Sequence, residues 1–406
     1  MKAGVAFAND TSGYVAGRRA AEEAIRKTGA LKTPDVVLAF CAGSLEANAA
    51  FAGIRSAVGA RVPILGGSGL GVVTNEQVSR DGVSVAVMDL GAPLAGVAFA
   101  DGVQKDEKKT GKKLGKQLSE GGAGNALLLF YDSLRKPAAG TTPPVMNASR
   151  PLLAGLAEGF PGAPPVVGAG LLCDAGQKPT WQYCGDDARQ EHVVGALLGT
   201  KVKTIVQVMH GCAPVDNAVH VLSKVKDGVV GLIDGKPAAD RIDELVGSRD
   251  WRSQRPVHRF SLGLALGDRL TTLGEDGYVN RLLGGVMPDG KSVALFEPDL
   301  EDGAQVLLMK RDPAAVLESA RNGCEAAIER MKRQRARPRA AVYLDHGGRT
   351  AATAGTPTEE AAEVQAIMTR EGIPLVGFYS GVGVAPVRGM NRGFDWAGVL
   401  LLLGEG

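Results

Sequence analysis

The sequence predicts an α/β protein of mixed sheets with flanking helices, built from three related strand–helix–strand–strand units. Three observations predict it. AGVAFA occurs at 3–8 and again at 95–100. The apolar runs DVVLAF (35–40), ALLLFYD (126–132) and AAVYLD (340–345) each precede a helix-like stretch. Pro-x-x-Gly with apolar x then follows each time, at Pro63–Gly66, Pro165–Gly168 and Pro374–Gly377. Proline opens a strand where its missing N–H does no harm, and glycine permits a turn or a close approach.

Composition bounds the answer. The 406 residues are 45% hydrophobic and 22% charged, ordinary globular values that exclude a mostly disordered chain. The 56 glycines are about twice the usual share and show no Gly-X-Y period, which implies many tight turns. A net charge of +2 argues against a wholesale nucleic-acid or membrane-surface binder, and 5% aromatics disfavours repeated base-stacking platforms. Five cysteines (41, 173, 184, 212, 324) form no C-x-x-C, which fits a reducing cytoplasm. The N-terminal apolar run is too short for a signal-peptide core. The apolar stretch 82–100 carries Asp89, Gly91 and Pro93 in its middle, so it reads as two strands and not as a membrane helix.

In chain order, the first unit runs AGVAFA, DVVLAF, a helix over LEANAAFAGIRSAV capped by Ser44 and closed by Gly59, the Pro63 strand, a loop, and GVSVAVM (82–88). The second repeats this with Ser149 capping RPLLAGLAEG, Gly159 closing it, and HVVGALL (192–198) after the loop. The intervening segment 210–310 predicts a hairpin of NAVHVLSKV and GVVGLID around Lys226-Asp227-Gly228. A helix capped by Asp234 follows, with Pro237 early and Gly247 after it, then strands HRFSLGLAL (258–266) and SVALF (292–296). Asp312-Pro313 opens a long helix with Val316, Leu317, Ala320, Cys324, Ala327, Ile328 and Met331 on one stripe. In the third unit Thr356 and Glu359 make a capping box around Pro357, Gly372 stands past the helix end, and AGVLLLL (397–403) closes the chain's apolar runs. The boundary between halves falls near 230, giving regions 1–230 and 231–406.

This layout resembles the FIST proteins, with a FIST N-like region over 1–230 and a FIST C-like region over 231–406. The residues that carry the resemblance are PDVVLAF, VPILGGSGLG, IDGKPAADRIDELVG, YVNRLLGG, LDHGGR and IPLVGFYSGVGVAP. The resemblance implies an intracellular sensory module that binds a small ligand, an amino acid or another small anion. It implies a histidine kinase or a cyclic-dinucleotide enzyme as the partner, since no kinase, receiver or transmembrane pattern stands in this sequence. It also carries an alternative, a haem-binding nitric-oxide sensor. In the family pattern the position of His346 is commonly Cys, so one fixed chemical job is not implied there.

Gly285–Ser292 fits the P-loop letters, but Pro288-Asp289-Gly290 is a turn signal and a short strand follows where a helix is required. His210-Gly-Cys212 lacks the further ligands a zinc site needs. The basic runs at Lys105–Lys116 and Arg330–Arg339 read as solvated helix faces. The candidate ligand contacts are Gly66, Gly67 and Ser68, where bare backbone N–H groups could meet a ligand or simply turn. Arg281 sits alone among apolar residues and needs either a buried acid or a ligand. His346 and Arg349 stand just past a strand end, where ligands collect in open α/β sheets. His346 reads as a turn histidine or as a ligand contact (axial only if haem binds), and Arg349 as a surface residue or an anion clamp. Tyr379 and Ser380 divide the same way. The glycine turns at 66–71, 168–170 and 377–381 are expected to frame one cavity. No base has a visible relation to any serine, so a binding protein without resident cofactor is expected, with an enzyme on the same scaffold as the last alternative.

Overall fold

The computed structural model describes residues 1–29, 33–137, 144–173, 178–216, 218–266 and 275–406. The first segment comprises β1 (Lys2–Ala8), α1 (Gly13–Lys27), β2 (Val36–Ala42), α2 (Ala47–Val58), β3 (Ile64–Gly69), β4 (Val72–Thr74), β5 (Val78–Ser79) and β6 (Gly82–Asp89). The second comprises β7 (Gly96–Asp101), α3 (Glu107–Ser119), β8 (Ala126–Asp132), the short pair β9 (Leu134–Lys136) and β10 (Val145–Met146), α4 (Ser149–Gly159), β11 (Val166–Leu171), β12 (Trp181–Gly185), β13 (Ala188–Gln190) and β14 (His192–Leu198). After β15 (Lys203–Met209) comes an insert of β16 (Cys212–Pro214), β17 (His220–Lys226), β18 (Val229–Ile233), β19 (Lys236–Pro237), α5 (Ala238–Val246), β20 (Phe260–Ala265), β21 (Tyr278–Val286), β22 (Val293–Leu295) and β23 (Gln305–Arg311). The chain ends with α6 (Pro313–Arg333), β24 (Arg337–His346), α7 (Ala351–Ala354), α8 (Glu360–Arg370), β25 (Leu375–Ser380), β26 (Gly383–Val387), β27 (Met390–Phe394) and β28 (Gly398–Glu405).

Three six-stranded mixed sheets share one order. They run β1-β6-β2-β3-β12-β13, β7-β14-β8-β11-β26-β27 and β15-β28-β24-β25-β4-β5. In each, the first four strands come from one segment and the outer hairpin from another. The stretches after each Pro-x-x-Gly strand were expected to be loops. They are instead hairpins that cross to the neighbouring sheet, where a free edge would otherwise stand exposed.

The Pro-x-x-Gly pattern has one physical reason in all three sheets. The carbonyls of Pro63, Pro165 and Pro374 accept from the N–H groups of Val37, Leu127 and Ala341, which sets the parallel register. A Cβ on Gly66, Gly168 or Gly377 would collide with the carbonyl oxygen of Ala39, Leu129 or Tyr343 on the paired strand. These glycines therefore lie inside strands, not in turns. Glycine also lets helices touch. A Cβ on Gly17 would strike Ala50 O, and one on Gly155 would strike Lys108 O.

Period-2 alternation sorts the side chains. On β24, Val342 and Leu344 enter the shared interior, while Ala341 and Tyr343 face the helices. The three sheets meet on Phe40, Phe130 and Phe378, which pack with centroid separations of 5.6, 4.1 and 6.2 Å. The expected cavity framed by glycine turns is thus filled with aromatic side chains, each of which contributes about 1.5–3 kcal/mol when buried. Helices α1 and α2, α3 and α4, and α6 and α8 cover the outer faces.

The insert forms a separate antiparallel sheet around its own core with Trp251. Asn217, which begins the NAVHVLSKV run, lies outside the described residues. The division at 230 falls inside the β17–β18 hairpin. The P-loop letters form a turn between β21 and β22, in which Asp289 Oδ1 accepts from Lys291 N and Ser292 N.

Several predicted caps are replaced. Asp312 caps α6 through Ala314 N and Ala315 N, as its sequence position requires. The Thr356–Glu359 box does not form. Thr356 Oγ1 donates to Thr358 O, and Glu359 is itself the N-cap residue. Ser44 gives way to Glu46, and Asp234 holds His220 and Arg241 instead of capping α5. The helix α4 begins at Ser149, whose N–H and Oγ–H both donate to Glu297 of the insert.

Candidate functional site

The parallel strands β24 and β25 end side by side, with His346 opposite Ser380. Alternation places His346 on the interior face with Val342 and Leu344. A single 3-10 turn, Gly347–Arg349, then folds back and buries Arg349 completely. Gly348 N donates to His346 Nδ1 at 2.9 Å. The neutral imidazole therefore carries its proton on Nε2, a tautomer assigned from this hydrogen bond. Among the described residues Nε2 has no hydrogen-bond partner, though His346 is only 3% exposed. Burial first, then the charges of Arg349 and Arg311, lowers its pKa to about 3, so the ring stays neutral.

Arg349 is ion-paired inside the protein. Its Nη1 donates to His210 O at 3.0 Å and to Trp396 O, while Nη2 pairs with Glu360 and Nε lies 3.3 Å from Asp345. Burial opposes its charge, and Glu360 and Asp345 more than offset that, so its pKa is raised. The anion-clamp reading of Arg349 is corrected: two carboxylates of this chain hold it. Tyr343 on β24 adds a hydrogen bond to Glu360 at 3.1 Å. Burial leads in raising the pKa of Asp345.

The other predicted contacts are likewise engaged within the protein. Arg281 Nε and Nη2 make a two-pronged pair with Asp299, and Nη1 donates to Asn280 O and Gly393 O. It meets a buried acid, the first of its two readings. Gly66 and Gly67 are buried in β3 with φ of 118° and 143°, and Ser68 Oγ accepts from Trp181 N at 3.0 Å. Tyr379 OH donates to Glu359 Oε2 at 2.9 Å, and Ser380 Oγ donates to Asp345 O at 3.0 Å. His346, Arg349, Tyr379 and Ser380 thus share one strand end, whereas Gly66–Ser68 lie in another sheet and Arg281 in the insert.

Arg311 was missed. It ends β23 on the face that carries Leu307 and Met309, and β23 pairs Cys212 opposite it. Its guanidinium lies 4.5 Å from the Trp396 ring centroid, and Nη1 donates to Gly348 O at 3.2 Å. Nε and Nη2 are buried without hydrogen-bond partners among the described residues. Burial and then Arg349 lower its pKa to about 10. The signal was available: a charged residue at a position whose period-2 neighbours are apolar.

A second polar cluster lies where the insert meets the second segment. Glu297 Oε1 accepts from Ser149 N at 2.6 Å and Ser149 Oγ at 2.8 Å, and Asp395 Oδ2 accepts from Leu282 N at 3.0 Å. Burial drives both carboxyls up, Glu297 to about 8 and Asp395 to about 7. Asp132 is pushed up to about 6 by burial, and Ser133 Oγ is buried without a partner among the described residues.

His210 is structural: Nδ1 accepts from Cys212 N at 3.0 Å, and Nε2 lies 3.0 Å from Glu275 O. The haem alternative fits poorly. Axial ligation through His346 Nε2 needs a free lone pair there, and that requires moving the proton to Nδ1 and breaking the Gly348 contact. A cavity of about 520 Å³ lies at the other end of β24 and β25, lined by Lys2, Arg337, Arg339, Glu371 and Pro374 among others.

Comparison with known proteins gives the following. The FIST N domain matches residues 35–236, and the FIST C domain matches residues 238–386. An uncharacterized protein of Mycobacterium tuberculosis (strain H37Rv) is 24% identical over 203 residues, 49% of this chain and 51% of that protein. An uncharacterized protein of Mycobacterium bovis is 26% identical over 207 residues, 50% of this chain and 51% of that protein. The chain spans about half the length of the curated relatives it matches. A chorismatase crystal structure aligns over 99% of this chain and 98% of its own, with a TM-score of 0.33 and 8% identity.

Proposed function

The chain belongs to the FIST family of sensory domains, and on that premise we propose that it binds a small anionic or zwitterionic molecule and passes its state to a separate signalling protein. One observation carries this reading. At the ends of β24 and β25, His346 Nε2–H is buried and lacks an acceptor among the described residues, as do Nε and Nη2 of the neighbouring Arg311. Buried donors are normally paired, and each that is not costs about 1–3 kcal/mol, which an accepting ligand would recover.

Arg311 replaces Arg349 as the cation in this reading. A histidine kinase or a cyclic-dinucleotide enzyme is the proposed partner class. A cytoplasmic setting is supported by the buried thiols of Cys41, Cys184, Cys212 and Cys324, none of which pairs with another cysteine among the described residues. Among the described residues, no helix is long and apolar enough to cross a membrane. The chain is read as a binding protein and not an enzyme, because Glu297 Oε1, in contact with Ser149 Oγ, is committed to capping α4.

A thermal-shift screen against amino acids, small carboxylates and inorganic anions tests the proposal. A ligand that binds only the native state must raise Tm with concentration. A panel without any such gain overturns it. A Soret band on hemin addition that is lost in His346→Ala would move the reading to haem.

A further inference from the structure

We propose that Arg311, His346 and Trp396 form a carboxylate site that takes a small molecule with an apolar substituent. This rests on the sensory reading above and names the ligand class.

The three residues converge on Gly348. Its N–H donates to His346 Nδ1, its carbonyl accepts from Arg311 Nη1, and a Cβ added to it would collide with Trp396 Nε1. Their remaining polar atoms are Arg311 Nε and Nη2, His346 Nε2 and Trp396 Nε1. Among the described residues none of these has a hydrogen-bond partner, and the residues are 7%, 3% and 0% exposed. All four are N–H donors, so whatever satisfies them supplies acceptors only. Because Gly348 O occupies Nη1, the free edge of Arg311 is Nε with Nη2, the parallel pair that matches the two oxygens of a carboxylate.

Charge selects the anion. Asp345 and Glu360 are held by Arg349 close by, so a single negative charge is tolerated better than the double charge of a phosphate. The apolar part of the ligand is assigned by Phe296 and Leu70. The Phe296 ring lies 5.4 Å from His346, and a Cβ on Gly347 would strike Leu70. Both are half-buried and pack on the cluster of Leu134, Met146 and Leu172.

Sodium isovalerate is the probe, titrated into the ¹⁵N-labelled full chain, with isovaleramide and inorganic phosphate as comparators. The three tryptophans give three indole N–H signals, and W396F assigns that of Trp396. Isovalerate is expected to shift the Trp396 signal saturably and to raise Tm, with isovaleramide and phosphate binding roughly tenfold or more weakly. R311K keeps the charge but loses the paired edge, and is expected to weaken isovalerate by roughly tenfold or more. Should R311K not fold, W396F carries the test, since it keeps the aromatic face and removes one donor, and it too must bind isovalerate more weakly. The proposal is overturned by no saturable effect of isovalerate, by equal binding of amide or phosphate, or by undiminished binding to the variants. If isovalerate is inert while another molecule of the screen raises Tm, the site assignment falls and the sensory reading stands. If nothing raises Tm, both fall.

Discussion

Single side chains decide the chemistry of this protein by whether their partners lie inside it. Among the described residues, Arg349 and Arg281 find buried carboxylates, and Arg311 does not. Removing Arg349 leaves Glu360 and Asp345 as buried acids facing each other without their cation. Arg349→Leu should therefore destabilise the fold by about 3–5 kcal/mol in urea unfolding, and a loss below 1 kcal/mol would contradict the pairing. Glu297 makes a pH prediction. Its folded pKa of about 8 stands above its ordinary 4.5, so its stabilising contribution is fully present below about 4.5 and lost as pH rises through about 8. The three histidines whose pKa burial lowers, His210, His258 and His346, stay neutral above pH 7. Unfolding free energy should thus decline from pH 7 to pH 9 in the wild type. Glu297→Gln, which retains the oxygen that caps α4, should flatten that decline. Parallel slopes for the two proteins would refute this assignment.

At the scale of elements, the predictable devices are those built from neighbours in sequence. Asp312 caps its own helix, so Asp312→Ala should cost about 1 kcal/mol. Thr356→Ala should cost clearly less, because Thr356 Oγ1 serves only a local turn. Equal losses in chemical denaturation would mean the capping box forms after all. Strand glycines carry the opposite sensitivity. Gly168→Ala places a methyl group against Leu129 O on the paired strand, and we expect a loss of about 3 kcal/mol or a failure to fold, read by thermal unfolding. The helix α4 shows why its start was misread. Its first turn is satisfied by Glu297, which lies 148 residues further along the chain.

The whole molecule is tied together by exchange. Each six-stranded sheet borrows its outer hairpin from another segment, and Glu297 and Arg281 bind the insert to α4 and to the β27–β28 stretch. Unfolding one part removes strands from the next, so the protein should melt in a single transition. Trp251 reports the insert, Trp181 the first sheet and Trp396 the site, so fluorescence of single-tryptophan variants should give coincident midpoints. A separate, earlier transition at Trp251 would show the insert to be an independent unit.

The apolar runs, the prolines that open strands, the Asp312 cap and the Lys226–Gly228 hairpin were legible in the sequence because each is a local consequence of its own residues. So was the end of β24 as a place where His346 and Arg349 meet. Tertiary structure alone decided which sheet each hairpin joins, that Phe40, Phe130 and Phe378 close the centre, and that Arg349 faces two carboxylates while Arg311 faces none among the described residues. The physical reason is the same in each case. A hydrogen bond or ion pair depends on which distant atoms arrive within about 3 Å, and local pattern carries no information about that arrival.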